Sequence, residues 1–460
     1  MDYLIRNATI VNEGSLREAS IYISDGKIVE IFSPDKQPQI PASASYETID
    51  ATECLLLPGI IDTHVHFRDP GMTEKADFAT ESRAAAAGGV TSVIDMPNTI
   101  PQTTTLPLLE QKEKMAAEKS VVNYGFMLGA TNDNIDELIS IDTQRYAAIK
   151  LFLGSSTGNM LVNDAMRLDH LFQHSRKIIV AHCEEESIVQ ANMKLYKAEF
   201  AGTDKERAAL HPKIRNTEAC YVSTYKAIER ALKYGTRLHI AHVSSATELN
   251  MLSNKLLVEK RITAEVTPNH LWYDDRDYAE LGNLIKCNPS IKSNNDRLAL
   301  WAALYDGLLD TIGSDHAPHT WDSKQKNYFD APSGIPSIQH TLQMMLEACY
   351  SPISDHAELI DTWVPLIVEK MCHNPAVLFG IKKRGFIRKG YYADLTLVRT
   401  GVEQTINKDN ILYKCGWSPL EGQTFHTRIE KTFVNGNVAF DAAAMEHSFK
   451  HKGSLLEFSA

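Results

Sequence analysis

The chain has 460 residues, 43% hydrophobic and 23% charged, with 58 acidic against 47 basic residues and a formal charge of −11. This length admits a large core with a smaller appended domain, and the composition suits a globular enzyme acting on a small molecule. The acidic balance argues against nucleic acid or an anionic membrane as the main partner, and no apolar run approaches the length of a membrane span.

The amino end, "MDYLIRNATIVNEG", reads as a strand rather than a leader segment. The seven cysteines are scattered, odd in number and without a CxxC pair. Free thiols in a reducing compartment explain them, so the expected location is cytoplasmic.

In chain order, "ATIV" and "ASIYISDGKIVEIF" come first, alternating apolar and polar residues around an Asp25-Gly26 turn, a hairpin pattern. Strand-like runs then follow in "GIIDTHVHF", "TSVIDM", "VVNYGFML", "AAIKLFL", "KIIVAH", "RLHIAHV", "ITAEVTP" and "TIGSDH". Helical stretches such as "TESRAAAAGG", "LPLLEQKEKMAAEKS", "NTEACYVSTYKAIERALKYG" and "NNDRLALWAALYDGLL" lie between them. "SSTGNMLVND", after the lysine-bearing strand, reads as a mobile loop. At the carboxyl end "YADLTLV" and "KTFVNGNVAF" return to strand patterns. The expected architecture is α/β: an elaborated TIM (β/α)8 barrel over residues 58–384. Residues 1–57 and 385–460 are expected to form one small composite β-sandwich domain. A doubly wound sheet also fits the alternation, but no Gly-rich dinucleotide fingerprint supports it.

The polar residues at the strand ends carry the functional expectation. His64 and His66 close the first barrel strand; Lys150, His182, His242 and Asp315 lie in or just after later ones. In a parallel barrel these ends converge on one face. His64 and His66, two apart, share a side, and Arg68 continues it if the chain stays extended for one more step. Imidazoles and carboxylates suit Zn²⁺, and Co²⁺ or Mn²⁺ suit the same donors. An ammonium at position 150 would repel a dication. Carbamylation by carbon dioxide would turn it into an anionic bridging ligand, which needs a buried lysine with a lowered pKa.

"DTHVHFRDPG", "GGVTSVIDMPNT", "IKLFLG", "HCE", "IAHVSS", "NPSIKS" and "SDHAPHT" together resemble the dihydroorotases of the amidohydrolase superfamily, over roughly residues 55–340. The resemblance implies that His64, His66 and Asp315 hold one zinc and His182 and His242 a second. Carbamylated Lys150 (N6-carboxylysine) and a hydroxide would bridge the two. Asp315 would act as general acid and base. Arg68, Asn98 and His319 would grip a substrate carboxylate, with Asn288 and the backbone of Ser333-Gly334 on the ring. Asn269, in "TPNHL", stands where relatives commonly have histidine.

The implied reaction is reversible cyclisation of N-carbamoyl-L-aspartate to L-dihydroorotate in pyrimidine biosynthesis, by a homodimer. Another cyclic amidohydrolase, an allantoinase or a dihydropyrimidinase (hydantoinase), is the alternative, and a metal-free scaffold is a third. The structural alternatives are pairing of Arg68 with Asp69 or Glu74, a turn role for Asn98, and an incidental loop position for His319.

Overall fold

The computed structural model describes residues 1–36, 38, 40, 44–154, 160–199, 202–350 and 360–459. The expected loop over 155–164 therefore lies partly outside the described residues. Within its remainder, Leu161 forms a parallel bridge to Phe152.

The barrel strands are β1 (Ile60–Val65), β2 (Val90–Asp95), β3 (Asn123–Phe126, resuming as Leu128–Gly129) and β4 (Ile149–Phe152). They continue as β5 (Ile179–His182), β6 (Leu238–Ile240), β7 (Ile262–Val266) and β8 (Thr311–Ile312). All neighbours pair in parallel, and a parallel bridge between Val65 and His316 joins the last strand's exit to the first. The result is an elaborated (β/α)8 barrel. Every residue of β1, β2, β4 and β5 is buried, as a parallel sheet covered on both faces requires. That is why these runs read as nearly continuous apolar stretches in sequence.

The intervening helices start where local chemistry satisfies their first N–H groups. Helix Phe78–Ala87 is capped by Asp77, whose side chain accepts from the Thr80 N–H at 2.9 Å, and its Ala84–Ala87 run is buried. Helix Thr217–Tyr234 begins at Asn216 and ends at Gly235, whose φ of 71° suits glycine. No helix among the described residues is long and apolar enough to cross a membrane. The seven cysteines are unpaired, six of them buried.

The two chain ends meet in one eight-stranded sheet. Strand Leu395–Thr405 runs antiparallel to Cys54–Pro58, with Leu395 opposite Pro58 and Arg399 opposite Cys54. Ile5, Ile10, Ile21, Leu56, Leu395 and Phe433 fill a core separate from that of the barrel. The barrel begins two residues after this sheet: Gly59 N–H donates to the Asp394 carbonyl at 2.8 Å, and β1 opens at Ile60. We propose 1–57 with 385–460 as the composite β domain and 58–384 as the barrel. The last residues cross back, because Leu456 and Phe458 pack with Ile61 and Ile94 of the barrel strands.

One buried pair fixes the loop after β1. Asp95, at the end of β2, accepts the Phe67 N–H at 2.7 Å and lies 2.5 Å from the Lys112 ammonium, with both side chains fully shielded. Removing one partner leaves a buried charge uncompensated. Lys112→Met is therefore expected to destabilise the protein by about 3–5 kcal/mol in urea unfolding at neutral pH. A loss below about 1 kcal/mol, the range of a surface pair, would show that the pair does not hold this corner.

Candidate metal centre and active site

Two imidazoles are set by groups behind them. His64 Nδ1 donates to Glu265 Oε1 on β7 at 2.6 Å, and His66 Nδ1 donates to Asn98 Oδ1, just beyond β2, at 2.7 Å. With Nδ1 engaged, each ring turns its Nε2 toward one carboxylate: Asp315 Oδ1 is 3.4 Å from His64 Nε2 and 3.1 Å from His66 Nε2. Burial pushes His66 down to about 4, against the opposing pull of Asp315. Burial alone would raise the Asp315 carboxyl, but the facing His64 and His66 rings outweigh it and hold it below the usual carboxylate range. Two ring nitrogens and a carboxylate converging on one point are donors of the kind that bind a cation. His64, His242 and Asp315 offer ligand atoms within 4.8 Å of one another.

The other half of the donor set follows the same plan. His182 Nε2 donates to Glu184 Oε2 at 2.9 Å, leaving Nδ1 to face His242 Nε2 at 2.9 Å. His242 Nδ1 has no partner among the described residues, and burial pushes this histidine well below its ordinary value. Lys150, in the middle of β4, is 0% exposed, and its Nζ also has no hydrogen-bond partner. Burial draws the lysine down to about 8, against the opposing pull of Glu265 and Asp315, so much of its amine is neutral near that pH. Unpartnered buried polar atoms are rare. Here Lys150 Nζ, His242 Nδ1, Asn288 Oδ1 and His319 Nδ1 all belong to one cavity.

The backbone is shaped for this convergence. Arg68, His242 and Asp315 take φ of 65°, 40° and 44°, a left-handed region that non-glycine residues seldom adopt and that clusters at functional sites. Gly313, on the exit from β8, is where a Cβ would lie 2.3 Å from Glu265 Oε2 and 3.0 Å from His64 Cβ. Only glycine lets β8 approach closely enough to bring Asp315 over the two histidines. Asp62 joins the same strands, accepting from the N–H groups of His64 and Ser314, each at 3.1 Å.

All twelve residues singled out in the sequence line one cavity of about 310 Å³: His64, His66, Arg68, Asn98, Lys150, His182, His242, Asn288, Asp315, His319, Ser333 and Gly334. The route by which Arg68 arrives differs from expectation. The chain is not extended at this residue but turns left-handed, and the turn carries the guanidinium across to the loop after β8. There Nε donates to the Pro318 carbonyl at 3.3 Å and Nη2 to His319 Nε2 at 3.2 Å. Neither structural pairing considered for Arg68 forms, because Asp69 is taken by Lys119 at 2.6 Å and no carboxylate lies within 4.0 Å of Arg68 among the described residues. Burial lowers Arg68 to about 10, which leaves it charged at neutral pH.

The supporting carboxylates Glu265, Glu184, Asp62 and Asp95 were not singled out in the sequence. Their signal was present, since each lies within or beside an apolar strand run where an unpaired carboxylate would be costly. Asn269, at the position where histidine is common, donates to Ser337 Oγ at 2.8 Å.

A model of the amidohydrolase family matches residues 55–439. A dihydroorotase of Methanosarcina acetivorans is 34% identical over 99% of this chain and 95% of its own length. An allantoinase of Salmonella choleraesuis is 27% identical over 97% of this chain and 96% of its own. Among solved structures, the L-hydantoinase (dihydropyrimidinase) of Arthrobacter aurescens superimposes with a TM-score of 0.86 at 27% identity, covering 99% of this chain and 97% of that one.

If Glu265 sets the tautomer and basicity of His64, Glu265→Gln should weaken retention of a divalent ion by about 10- to 100-fold in a chelator competition. Retention equal to that of the parent would mean that His64 needs no carboxylate behind it.

Proposed function

We propose that this chain, which belongs to the amidohydrolase family and is a metal-dependent cyclic amidohydrolase, is a dihydroorotase. Its reaction is then the reversible interconversion of N-carbamoyl-L-aspartate and L-dihydroorotate in de novo pyrimidine biosynthesis. The observation that carries this reading is Arg68, a buried guanidinium without a carboxylate partner, in the cavity that also holds the converging imidazoles. An unneutralised cation at that wall favours a ring bearing a carboxylate over a neutral one.

The donor set fits two divalent ions, zinc by ligand type. His64, His66 and Asp315 would hold one, His182 and His242 the other, with Lys150, carbamylated to N6-carboxylysine, shared between them. When bound, such ions supply polarisation of the amide carbonyl and a water that is nucleophilic at neutral pH.

The protein's own groups do the rest. Asp315 takes the proton from the attacking water and delivers it to the ring nitrogen as the amide C–N bond breaks, and the reverse transfers close the ring with loss of water. Arg68 and His319 hold the substrate carboxylate. Asn98 spends its carbonyl on His66, which leaves its NH₂ as a donor for the same carboxylate. Asn288 and the Ser333-Gly334 backbone meet the ring amide.

Allantoinase or dihydropyrimidinase (hydantoinase) activity is the second reading, favoured by the likeness to those enzymes across the whole chain. A homodimer in the cytoplasm completes the proposal: unpaired thiols suit a reducing compartment, and two-fold assemblies are the commonest.

Lys150→Ala should abolish turnover, and short carboxylates added to the buffer should restore part of it by replacing the bridging group. Because carbon dioxide adds only to the neutral amine, reactivation of metal-stripped protein with metal, at a fixed concentration of dissolved carbon dioxide, should quicken as pH rises from about 6 to about 8. An unmodified lysine in the density of a fully metallated crystal would refute the carbamate.

Purified protein assayed on L-dihydroorotate, allantoin and hydantoin tests the reaction directly. Removing one partner of a desolvated charge pair costs about 2–5 kcal/mol. Arg68→Met should thus lower kcat/KM for dihydroorotate by roughly a hundredfold or more, with metal content unchanged. Any activity on the uncharged dihydrouracil should change little. Equal losses on charged and neutral rings would make Arg68 a structural residue.

A further inference from the structure

Lys324 ends the short helix Trp321–Lys324, is 1% exposed, and has no carboxylate within ion-pair distance among the described residues. A buried ammonium without a counter-charge is costly, and a methionine would fill the same slender space without that cost. Packing therefore does not explain a lysine at this position, which burial draws down to about 7, whereas the carbonyls around it do. The ammonium has three protons, and they go to Gly334 O at 2.9 Å, Pro332 O at 3.1 Å and Lys286 O at 3.3 Å.

The acceptors belong to two separate segments that line the cavity. Pro332 and Gly334 flank Ser333, and Lys286 lies two residues before Asn288. Other bonds reinforce the junction. Gly334 N–H donates to Lys286 O at 2.8 Å, and Lys286 Nζ donates to Ala331 O at 2.5 Å and Tyr328 O at 2.7 Å. Peptide planarity gives the arrangement a direction. With the Pro332 carbonyl held toward Lys324, the following N–H, that of Ser333, points away from it. Lys324 also lies 5.7 Å from the Trp417 ring, and Trp417 Nε1 donates to His319 O at 2.8 Å.

We propose that Lys324 is a positioning residue for substrate binding: its three N–H donors fasten the Pro332–Gly334 main chain to the Lys286–Asn288 segment, so that both present their contacts to the substrate together. This rests on the reading above, in which Asn288 and Ser333-Gly334 meet the ring. Lys324 touches no reacting atom, so its loss falls on binding rather than on proton transfer.

Metal-loaded Lys324→Met should raise KM for the ring by about 10- to 100-fold while kcat stays within about threefold of the parent, since a misplaced contact of this kind costs up to about a hundredfold. Lys324→Gln, which keeps two donors and removes the charge, should fall between parent and Met in KM. Bound metal and the thermal midpoint are read on the same samples. A purely structural lysine would lower the midpoint and leave KM unmoved, which overturns the proposal, as does a fall in kcat at constant KM. Should the Met variant not fold, the Gln variant decides, and an unchanged KM there overturns the proposal equally. Kinetics are measured on L-dihydroorotate, allantoin and hydantoin. Turnover by the parent of a neutral ring alone would refute the dihydroorotase reading, while the Lys324 effect on KM would still be read on that ring.

Discussion

Two imidazole nitrogens and a carboxylate are held 3.1–3.4 Å apart at the mouth of the barrel, and this convergence is what a cation site requires. Much of the surrounding structure is there to hold it. Glu265 and Asn98 engage the outer nitrogens of His64 and His66, so neither ring is free to turn away from Asp315. Gly313 brings the exit of β8 against β7 and β1, and Asp62 ties β1 to that exit. The convergence is thus held by several strands at once, and the left-handed φ of His242 and Asp315 is its backbone counterpart.

The closed parallel sheet makes such spreading possible. Each strand is buried on both faces and delivers one or two polar residues at its carboxyl end, where the backbone can leave the ladder without breaking the core. The small sheet contributes at a distance. Its central pair, Cys54–Pro58 against Leu395–Thr405, fixes where β1 begins, and hence the register at which His64 emerges.

Much of this was legible in the sequence. The eight apolar runs gave the barrel because parallel strands buried on both faces are apolar throughout, and the polar residues ending them are the ones that now share the cavity. Three features were not legible, each for a physical reason. The left-handed turn at Arg68 depends on where Pro318 and His319 lie, 250 residues away, which a local period of two cannot report. The apolar runs around Glu265 and Glu184 mark them as buried but do not say what they hold, because a buried carboxylate is explained only by what it touches. The ends of the composite domain follow tertiary packing as well. Residues 453–459 fall by sequence in the composite domain, yet Leu456 and Phe458 pack with Ile61 and Ile94 of the barrel strands.

The cavity is also divided by charge. Asp315 lines the cavity with the histidines, and Glu265 and Glu184 support those rings from behind. Arg68 lines it beside His319, while Lys286 and Lys324 lie behind the lining segments, with no acid within ion-pair distance of the three among the described residues. A chain with 11 more acidic than basic residues had ample means to neutralise Arg68 and did not. A cation kept unpaired in such a cavity acts over longer range than it would at the surface, because the low dielectric screens it weakly. The histidine side of such a cavity carries nothing that selects a charged ring, and the chain also resembles a hydantoinase in fold. On the proposed reading, Arg68 is the group that would distinguish rings by charge. Because it is buried, and because buried lysines tie together the segments beside it, selectivity on that reading is part of the scaffold. Exchanging it would require rebuilding the junction between the 286–288 and 332–334 segments as well as replacing Arg68.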